Sequence, residues 1–388
     1  MSIPSNLKTA FCCALAYTVL VAPCCAEDIP ALFSTPTTTR TEWEAARRPQ
    51  LIAQFERTMF GQTPRIDASN VRFERLEMSQ DLLKGTACKQ KIRIHYTVSG
   101  STPTSFDVLA VYPKTAKPVP VFLEMSINYP GAYDETLTTP CSYWPAEQIV
   151  KRGYAALIFN YTNAAPDDAK AFFDWKAKTW KQAETPNTAP FSAISIWAWS
   201  ISRVIDWIAT EPAFDAQRIA VVGFSRGGKT ALWAGAQDPR VALTISCCSG
   251  SGGAKLIHQA LPQSETIEHL VTRFPHWFTP NYAAYAHREK EAPFDMHQLL
   301  ALVAPRLLYI SSATEDRWAG PEGEFASCLR AAPAWSLYTK TGFTAQTFPA
   351  ANTPLHDASI GYHLRKGPHL LTEYDWHCYL DFADRHLK

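Results

Sequence analysis

Residues 218–233 read RIAVVGFSRGGKTALW, a short apolar run that leads through a serine between two glycines into a helix-forming segment. A buried strand that is followed directly by a helix is the repeating unit of a parallel sheet. The turn Gly223–Gly227 fits the pattern G-x-S-x-G, in which a tight strand-to-helix turn projects the serine hydroxyl above the edge of the sheet. The stretch therefore predicts Ser225 as a catalytic nucleophile, with a structural Gly-Ser turn as the alternative.

The rest of the chain predicts a doubly wound α/β domain. Further apolar runs alternate with helix-length segments, as in a parallel sheet that is covered by helices on both faces. Before these runs, residues 42–60 read as a helix interrupted at Pro49, and residues 91–98 and 106–112 read as antiparallel strands. We therefore expect a mostly parallel sheet with an N-terminal antiparallel extension, in a single domain over residues 27–388. The apolar runs are VPVFLEM (119–125), GYAALIFNY (153–161), RIAVVGF (218–224), VALTISC (241–247) and APRLLYISS (304–312).

The N-terminal segment has the pattern of a secretory signal peptide. One charge, Lys8, precedes an apolar run over residues 11–22, and small residues follow it. The run is shorter than a membrane-spanning helix. We expect cleavage to remove residues 1–26 and the protein to be secreted or periplasmic, with lipid attachment at Cys24 or Cys25 as the alternative.

Composition argues against several classes of partner and cofactor site. The chain has 37 basic and 36 acidic residues, so it lacks the charge excess that binds nucleic acid. The cysteines lack the Cys-x-x-Cys spacing of a zinc site, although an exported chain allows them to form disulfides. We expect no metal, no cofactor, no nucleic-acid partner and no membrane span, and we favour a monomer. The cysteines after the predicted leader are Cys88, Cys141, Cys247, Cys248, Cys328 and Cys378.

A serine nucleophile requires a histidine base and a carboxylate that orients the base. In folds that carry this serine turn, the chain order is serine, acid, histidine, and the acid follows a later strand. The apolar run 304–312 supplies that strand, and the segment TEDRW follows it. We predict Asp316 as the acid and keep Glu315 as the alternative.

Several histidines follow the predicted acid. His369 lies after a Gly-Pro turn and before a helix in LRKGPHLLTEYDW, where a loop histidine reaches over the serine. We predict His369 as the base. His356 and His363 lie in the preceding loop and are the alternatives, whereas His377 and His386 read as helical and structural.

Two cations lie beside the predicted nucleophile. The backbone N–H of Arg226, directly after the serine, is at the position that stabilises the oxyanion in this turn, and its guanidinium adds positive charge. Lys229 lies one helical turn from Ser225, on the same rim. A lysine at a helix N-terminus opposes the helix dipole, so we expect it to serve a substrate that carries hydroxyls or negative charge. The alternative is a solvated first-turn lysine.

Five segments in a fixed order resemble the bacterial glucuronoyl esterases, carbohydrate esterase family fifteen. The resemblance covers essentially the whole chain after the leader. It implies an α/β-hydrolase fold without a metal. The implied activity is cleavage of the ester between glucuronic or 4-O-methylglucuronic acid on xylan and lignin alcohols. The segments are GFSRGGKTAL (223–232), SGSGGA (249–254), FPHWF (274–278), EDRWAGPEGEF (315–325) and GPHLLTEYDW (367–376).

The resemblance also implies residue roles. Without it, Glu265 reads as an ordinary helix-surface charge and Trp318 as a core or loop-anchoring aromatic. The implied roles are Ser225 as nucleophile, His369 as base, Arg226 as oxyanion stabiliser, Lys229 as ligand of sugar hydroxyls, Glu265 as ligand of the uronate ring, and Trp318 as contact of the sugar.

The chain departs from the family pattern at three places. Many members carry the triad glutamate directly before SGSGG, where this chain has Cys248, so the acid is expected from Asp316 as in a variant subset. Phe224 and Leu370 stand where fungal members have a disulfide. The segment KLIHQA, residues 255–260, replaces paired arginines of the substrate rim.

Two other functions fit the same sequence. The first is a related polysaccharide deacetylase or acetyl xylan esterase on the same fold. The second is an inactive sugar-binding homologue, which Cys248 at the usual acid position suggests.

Overall fold

The computed structural model describes residues 29–98, 102–126, 135–139, 141–180 and 191–388. The predicted signal peptide and the alternative lipid-attachment cysteines lie outside the described residues. In these ranges, no helix combines the length and the apolar composition that crossing a bilayer requires.

Nine strands of the described chain form one sheet, in the order β1-β2-β3-β5-β4-β6-β7-β8-β9. The pairs β1/β2, β2/β3 and β3/β5 are antiparallel, and every pair from β5 to β9 is parallel. The predicted parallel sheet with an N-terminal antiparallel extension is therefore confirmed. The strands are β1 (Val71–Leu82), β2 (Ala87–Tyr96), β3 (Thr104–Pro113), β4 (Val119–Ser126), β5 (Ala155–Asn160), β6 (Phe214–Phe224), β7 (Val241–Cys247), β8 (Leu307–Ala313) and β9 (Ile360–Arg365).

Helices cover both faces of this sheet. Leu123 of β4 packs in an apolar cluster with Trp197 and Trp233, whereas its neighbour Phe122 packs in a second cluster with Trp376. Because successive side chains of a strand point to opposite faces, the two clusters are the two layers of core. The helices are α1 (Arg40–Glu42), α2 (Arg48–Phe55), α3 (Ala146–Lys151), α4 (Tyr161–Ala164), α5 (Ala169–Thr179), α6 (Ala193–Ile208), α7 (Arg226–Gln237), α8 (Ile267–Arg273), α9 (Pro280–Ala283), α10 (Met296–Ala301), α11 (Pro321–Ala331), α12 (Pro333–Ser336) and α13 (Glu373–His386).

The predicted interruption at Pro49 is wrong. The backbone stays helical through α2, and a π-helical turn, Trp43–Arg47, joins α1 to it. In that wider turn the Arg48 N–H donates to the Trp43 carbonyl. Pro49 lies just after this π-helical turn, as the second residue of α2, so the helical segment continues past a residue that has no N–H to donate.

The two edge strands, β1 and β9, were not predicted from the sequence. Strand β1 is mostly exposed and charged, so it shows no apolar run. Strand β9 is fully buried, yet Gly361, His363 and Arg365 interrupt its apolar pattern. The placement of His363 in a loop is therefore wrong, because this residue lies within β9.

Candidate active site

The turn between β6 and α7 holds Ser225 in a strained conformation, with φ 57° and ψ −121°. Positive φ is uncommon for a residue with a side chain and is typical of a nucleophile on a sharp strand-to-helix turn. The Ser225 N–H donates to the Cys247 carbonyl over 2.8 Å, and its carbonyl accepts from the Gly228 N–H over 2.9 Å. A Cβ on residue 223 would lie 2.0 Å from the Gly227 carbonyl oxygen, so Gly223 permits the close approach.

Histidine and carboxylate complete a chain of hydrogen bonds at this serine. His369 Nε2 lies 3.0 Å from Ser225 Oγ, and His369 Nδ1 lies 2.5 Å from Asp316 Oδ2. The Asp316 side chain is 1% exposed, and its other oxygen accepts the Ala319 N–H over 3.1 Å. This is the serine–histidine–aspartate arrangement in which the acid fixes the imidazole tautomer and the imidazole takes the serine proton.

The alternative acid and bases lie elsewhere. Glu315 is exposed and makes no side-chain hydrogen bond or ion pair with the described residues. His363 is buried between Asp375, at 2.8 Å, and the Tyr309 hydroxyl, at 3.0 Å. His356 lies 2.8 Å from the same hydroxyl, and burial lowers its pKa to about 4. The structure therefore brings only His369 and Asp316, among these candidates, to the serine.

A buried arginine fixes the loop that carries His369. The Arg365 guanidinium donates to the carbonyls of Pro368 and Leu370, each over 2.8 Å. Its Nε donates to Asp375 over 3.0 Å, and Asp375 also accepts the N–H of the residue that caps α13. Sequence reasoning missed this residue.

Cys248, at the position where the resemblance implies an acid, lies near Asp316 and His369 without supplying a carboxylate. Its Sγ and the ligand atoms of Asp316 and His369 all lie within 4.8 Å of one another. The hydrogen bond with Cys247 and burial raise the pKa of the Cys248 thiol well above its ordinary value. A neutral thiol cannot orient an imidazolium as a carboxylate does. The five buried cysteines are free thiols: Cys88, Cys247, Cys248, Cys328 and Cys378.

A buried glutamate that the sequence analysis missed makes hydrogen bonds with the loop that follows β7 and with β8. Glu324 of α11 accepts the N–H groups of Ser249 and Gly250 over 2.8 and 2.9 Å, and the Ser312 hydroxyl over 2.6 Å. It therefore joins the loop after β7 to the end of β8, four residues before Asp316. Burial raises the pKa of Glu324 to about 7, although its hydrogen-bond donors oppose that shift.

We expect Glu324 to make stability fall as pH rises. Between its ordinary pKa of 4.5 and its folded pKa of about 7, the native state binds a proton that the unfolded state has lost. The free energy of unfolding then decreases with pH over this window, by on the order of 3 kcal/mol. Glu324→Gln should remove this decrease in urea unfolding measured at several pH values. Equal pH slopes for both proteins would contradict the account.

A carboxylate clamp holds Arg226 at the rim of the site. Its guanidinium lies 2.5 Å from Asp167 and 4.6 Å from the centre of the Trp277 ring. Asp167 also accepts from His276 Nε2 over 3.0 Å and Trp277 Nε1 over 2.7 Å. Burial acts to raise the pKa of Asp167, but these donors hold it below its usual value. The arginine is thus fixed beside the serine by an acid that sequence reasoning missed.

Lys229 is buried, so the alternative of a solvated lysine is wrong. Its ammonium donates to the Ser249 carbonyl over 2.7 Å, the Ser251 carbonyl over 2.5 Å and Glu265 Oε2 over 2.7 Å. These contacts use all three N–H donors of the ammonium. The Trp318 indole donates to the other oxygen of Glu265 over 3.2 Å. Glu265 is 6% exposed and precedes α8, so the interpretation as a helix-surface charge is also wrong.

These side chains line a cavity of about 210 Å³ that opens at Ser225. Arg226, Lys229, Glu265 and Arg273 provide its charged groups, and Trp318, at 37% exposure, presents an aromatic face. Carboxylates and cations hydrogen-bond to hydroxyls, and aromatic faces cover the apolar side of a ring. The cavity therefore has the chemistry to hold a polar cyclic ligand against Ser225.

We expect Lys229→Met to destabilise the protein by about 3–5 kcal/mol, because it leaves the buried Glu265 carboxylate unpaired. Urea unfolding measures the loss. The double variant Lys229→Met, Glu265→Gln should recover part of it, since the uncompensated charge is removed. Lys170→Met is the control, because that lysine is 86% exposed. A loss no larger than that of the control would contradict the pairing.

Comparisons with known proteins identify one family of esterases. Residues 96–341 match the family described as glucuronyl esterase, fungi. The carbohydrate esterase MZ0003, from an unknown prokaryotic organism, is 33% identical over 91% of this chain and 87% of its own. The 4-O-methyl-glucuronoyl methylesterase 1 of Phanerochaete chrysosporium is 41% identical over 37% of this chain and 32% of its own.

Solved structures of similar proteins share the whole fold. The glucuronoyl esterase from Solibacter usitatus is 33% identical, with a TM-score of 0.82 over 92% of this chain and 97% of its own. A promiscuous CE15 esterase from a marine bacterial metagenome is 30% identical, with a TM-score of 0.84 over 92% and 96%. The fold is therefore the α/β-hydrolase fold, and the chain belongs to the glucuronoyl esterases of carbohydrate esterase family 15.

Proposed function

We propose that the protein is a secreted or periplasmic serine esterase of glucuronoxylan. It cleaves the ester between glucuronic or 4-O-methylglucuronic acid and lignin alcohols. The observation that carries the proposal is the hydrogen-bonded series Ser225–His369–Asp316 at the mouth of a charged cavity. Curated relatives named 4-O-methyl-glucuronoyl methylesterases support the same substrate class. Residues 1–26 would be the leader and residues 27–388 one catalytic domain.

The reaction follows from the positions of these groups. His369 Nε2 takes the proton of Ser225 as Oγ attacks the uronate carboxyl carbon, and Asp316 stabilises the imidazolium that forms. The Arg226 N–H, in the first turn of α7, has no intrahelical acceptor and donates to the oxyanion. His369 then protonates the departing alcohol. His369 then takes a proton from a water molecule, which attacks the acyl-enzyme and releases the uronic acid.

The sugar contacts divide between direct and supporting roles. Glu265 accepts hydrogen bonds from the hydroxyls of the uronate. A carboxylate has about four acceptor positions, and Lys229 and Trp318 occupy only some of them. The resemblance implies Lys229 as a ligand of sugar hydroxyls, but its three N–H donors already bind groups of the protein. Lys229 therefore fixes the orientation of Glu265 instead. Trp318 offers its exposed face to the ring. No metal or cofactor enters the proposed reaction.

Two substrates distinguish this proposal from a deacetylase. We expect the wild type to release benzyl alcohol from benzyl glucuronate and little acetate from acetylated xylan, as followed by chromatography. The reason is that the cavity beside Ser225 carries charged groups suited to a uronate. Acetate release without uronate ester cleavage would favour the deacetylase. Binding of glucuronoxylan with no cleavage of either substrate would favour an inactive sugar-binding homologue.

A further inference from the structure

A second cavity, of about 260 Å³, opens on the other side of the nucleophile. Ser225, Arg226 and His369 line both this cavity and the one described above. The reacting groups therefore form a wall that the two cavities share. The other lining residues of the second cavity are Glu124, Met125, Ser126, Tyr143, Tyr161 and Phe224.

Both cavities carry three aromatic side chains besides His369, but the second has fewer charged groups, only Glu124 and Arg226 among its lining residues. The rings of Phe224 and Tyr143 pack edge to face with centroids 5.7 Å apart, and Phe224 also packs on His369 with centroids 4.6 Å apart. Tyr161 adds a third ring. An apolar cavity of about 150 Å³ already holds benzene, so this one has room for a substituted aromatic ring.

One polar group of this cavity lacks a partner. Glu124 of β4 is 1% exposed, and its side chain makes no hydrogen bond or ion pair with any described residue. Its Oε2 is fully buried. A buried polar group without a partner is costly, so its retention needs a reason. Burial also raises the pKa of Glu124 well above its usual value, and a carboxyl that keeps its proton has one O–H donor.

We propose that the second cavity is the subsite for the alcohol side of the ester, built for an aromatic alcohol that carries a further oxygen, which accepts a hydrogen bond from the Glu124 carboxyl. The proposal rests on the proposed function, since it assigns the charged cavity to the uronate. An ester has two sides at its carboxyl carbon. With the uronate in the first cavity, which has more charged groups, the alkoxy group lies toward the second.

The position of His369 agrees with this assignment. The departing alkoxide needs a proton from His369, and this imidazole borders the second cavity. An alcohol bound there therefore keeps its oxygen beside the acid that protonates it. Phe224, packed on the imidazole, would contact the ring of the alcohol as well.

Three kinds of glucuronate ester test the subsite: the methyl ester, the benzyl ester, and benzyl esters with one ring hydroxyl at the meta or para position. For the wild type we expect kcat/KM to rise at least about tenfold from methyl to benzyl through ring burial. We expect a further rise of about tenfold for one hydroxybenzyl isomer through its hydrogen bond.

For each variant, the measured quantity is the ratio of kcat/KM between two esters. Because both values come from the same protein sample, a partial loss of folded enzyme cancels from this ratio. Glu124→Leu should abolish the preference for hydroxybenzyl over benzyl, whereas Glu124→Gln, which keeps an N–H donor, should retain much of it. Glu322→Leu, the same change as Glu124→Leu at an exposed position, should keep the wild-type ratio.

Equal kcat/KM for all three ester types, or an unchanged ratio in Glu124→Leu, would overturn the subsite while the proposed function stands. A wild type that cleaves none of these glucuronate esters would overturn both.

Discussion

Replacing Ser225 with alanine is expected to lower kcat on benzyl glucuronate by about a millionfold. The hydroxyl is the atom that forms the acyl-enzyme, and no other hydroxyl lies within hydrogen-bond distance of His369 Nε2 among the described residues. Steady-state kinetics on highly purified protein measures the loss.

The members of a triad act as a unit, so their effects are not additive. The double variant Ser225→Ala, His369→Ala should therefore be no slower than Ser225→Ala alone. Unchanged circular dichroism and thermal unfolding would show that the fold is kept. Activity above about one per cent in pure Ser225→Ala would contradict the assignment, because the loss expected for a nucleophile is far larger.

Replacing Asp316 with asparagine is expected to lower kcat by about 10⁴-fold. The two residues have nearly the same shape, but an asparagine amide that donates to Nδ1 favours the tautomer with the proton on Nε2. That tautomer cannot accept the serine proton. Because Asp316 is buried and 2.5 Å from His369 Nδ1, no exposed group takes over this role.

Glu315→Gln is the matched control, since it makes the equivalent change at the neighbouring exposed carboxylate. We expect its kcat and KM to stay near those of the wild type. Loss of activity in Glu315→Gln with activity kept in Asp316→Asn would show that the acid has been assigned to the wrong residue.

The nucleophile turn could be predicted because its determinants are local. Five consecutive residues contain the serine and the glycines, and a side chain at Gly223 would collide with the carbonyl of Gly227. The pairing of Asp316 with His369 was also predictable. The chain order serine, acid, histidine and the apolar run that precedes Asp316 indicate both residues.

The partners of the two cations could not be predicted in this way. Asp167 lies 59 residues from Arg226, and Glu265 lies 36 residues from Lys229. No periodicity relates positions that far apart, so only the fold brings them together. For the same reason, Lys229 read as a cation on the rim although it is buried.

The buried charged residues that hold the site loops in place were not predicted for a related reason. Glu324 reads as one more charge on a helix and Arg365 as one more charge at a turn, and the sequence carries no sign of their burial. The edge strands β1 and β9 were missed because one is solvated and the other carries polar residues within its buried run. Patterns of hydrophobicity identify central strands better than such edges.

The central claim is that the glucuronoyl group forms a covalent acyl-enzyme on Ser225. It is tested most directly by product partition in added ethanol. Methyl and benzyl glucuronate give the same acyl-enzyme, so the ratio of ethyl glucuronate to glucuronic acid should be identical for both substrates. Ser225→Ala should form neither product at a measurable rate. A ratio that depends on the leaving alcohol, or the absence of uronate products from the wild type, would contradict the account.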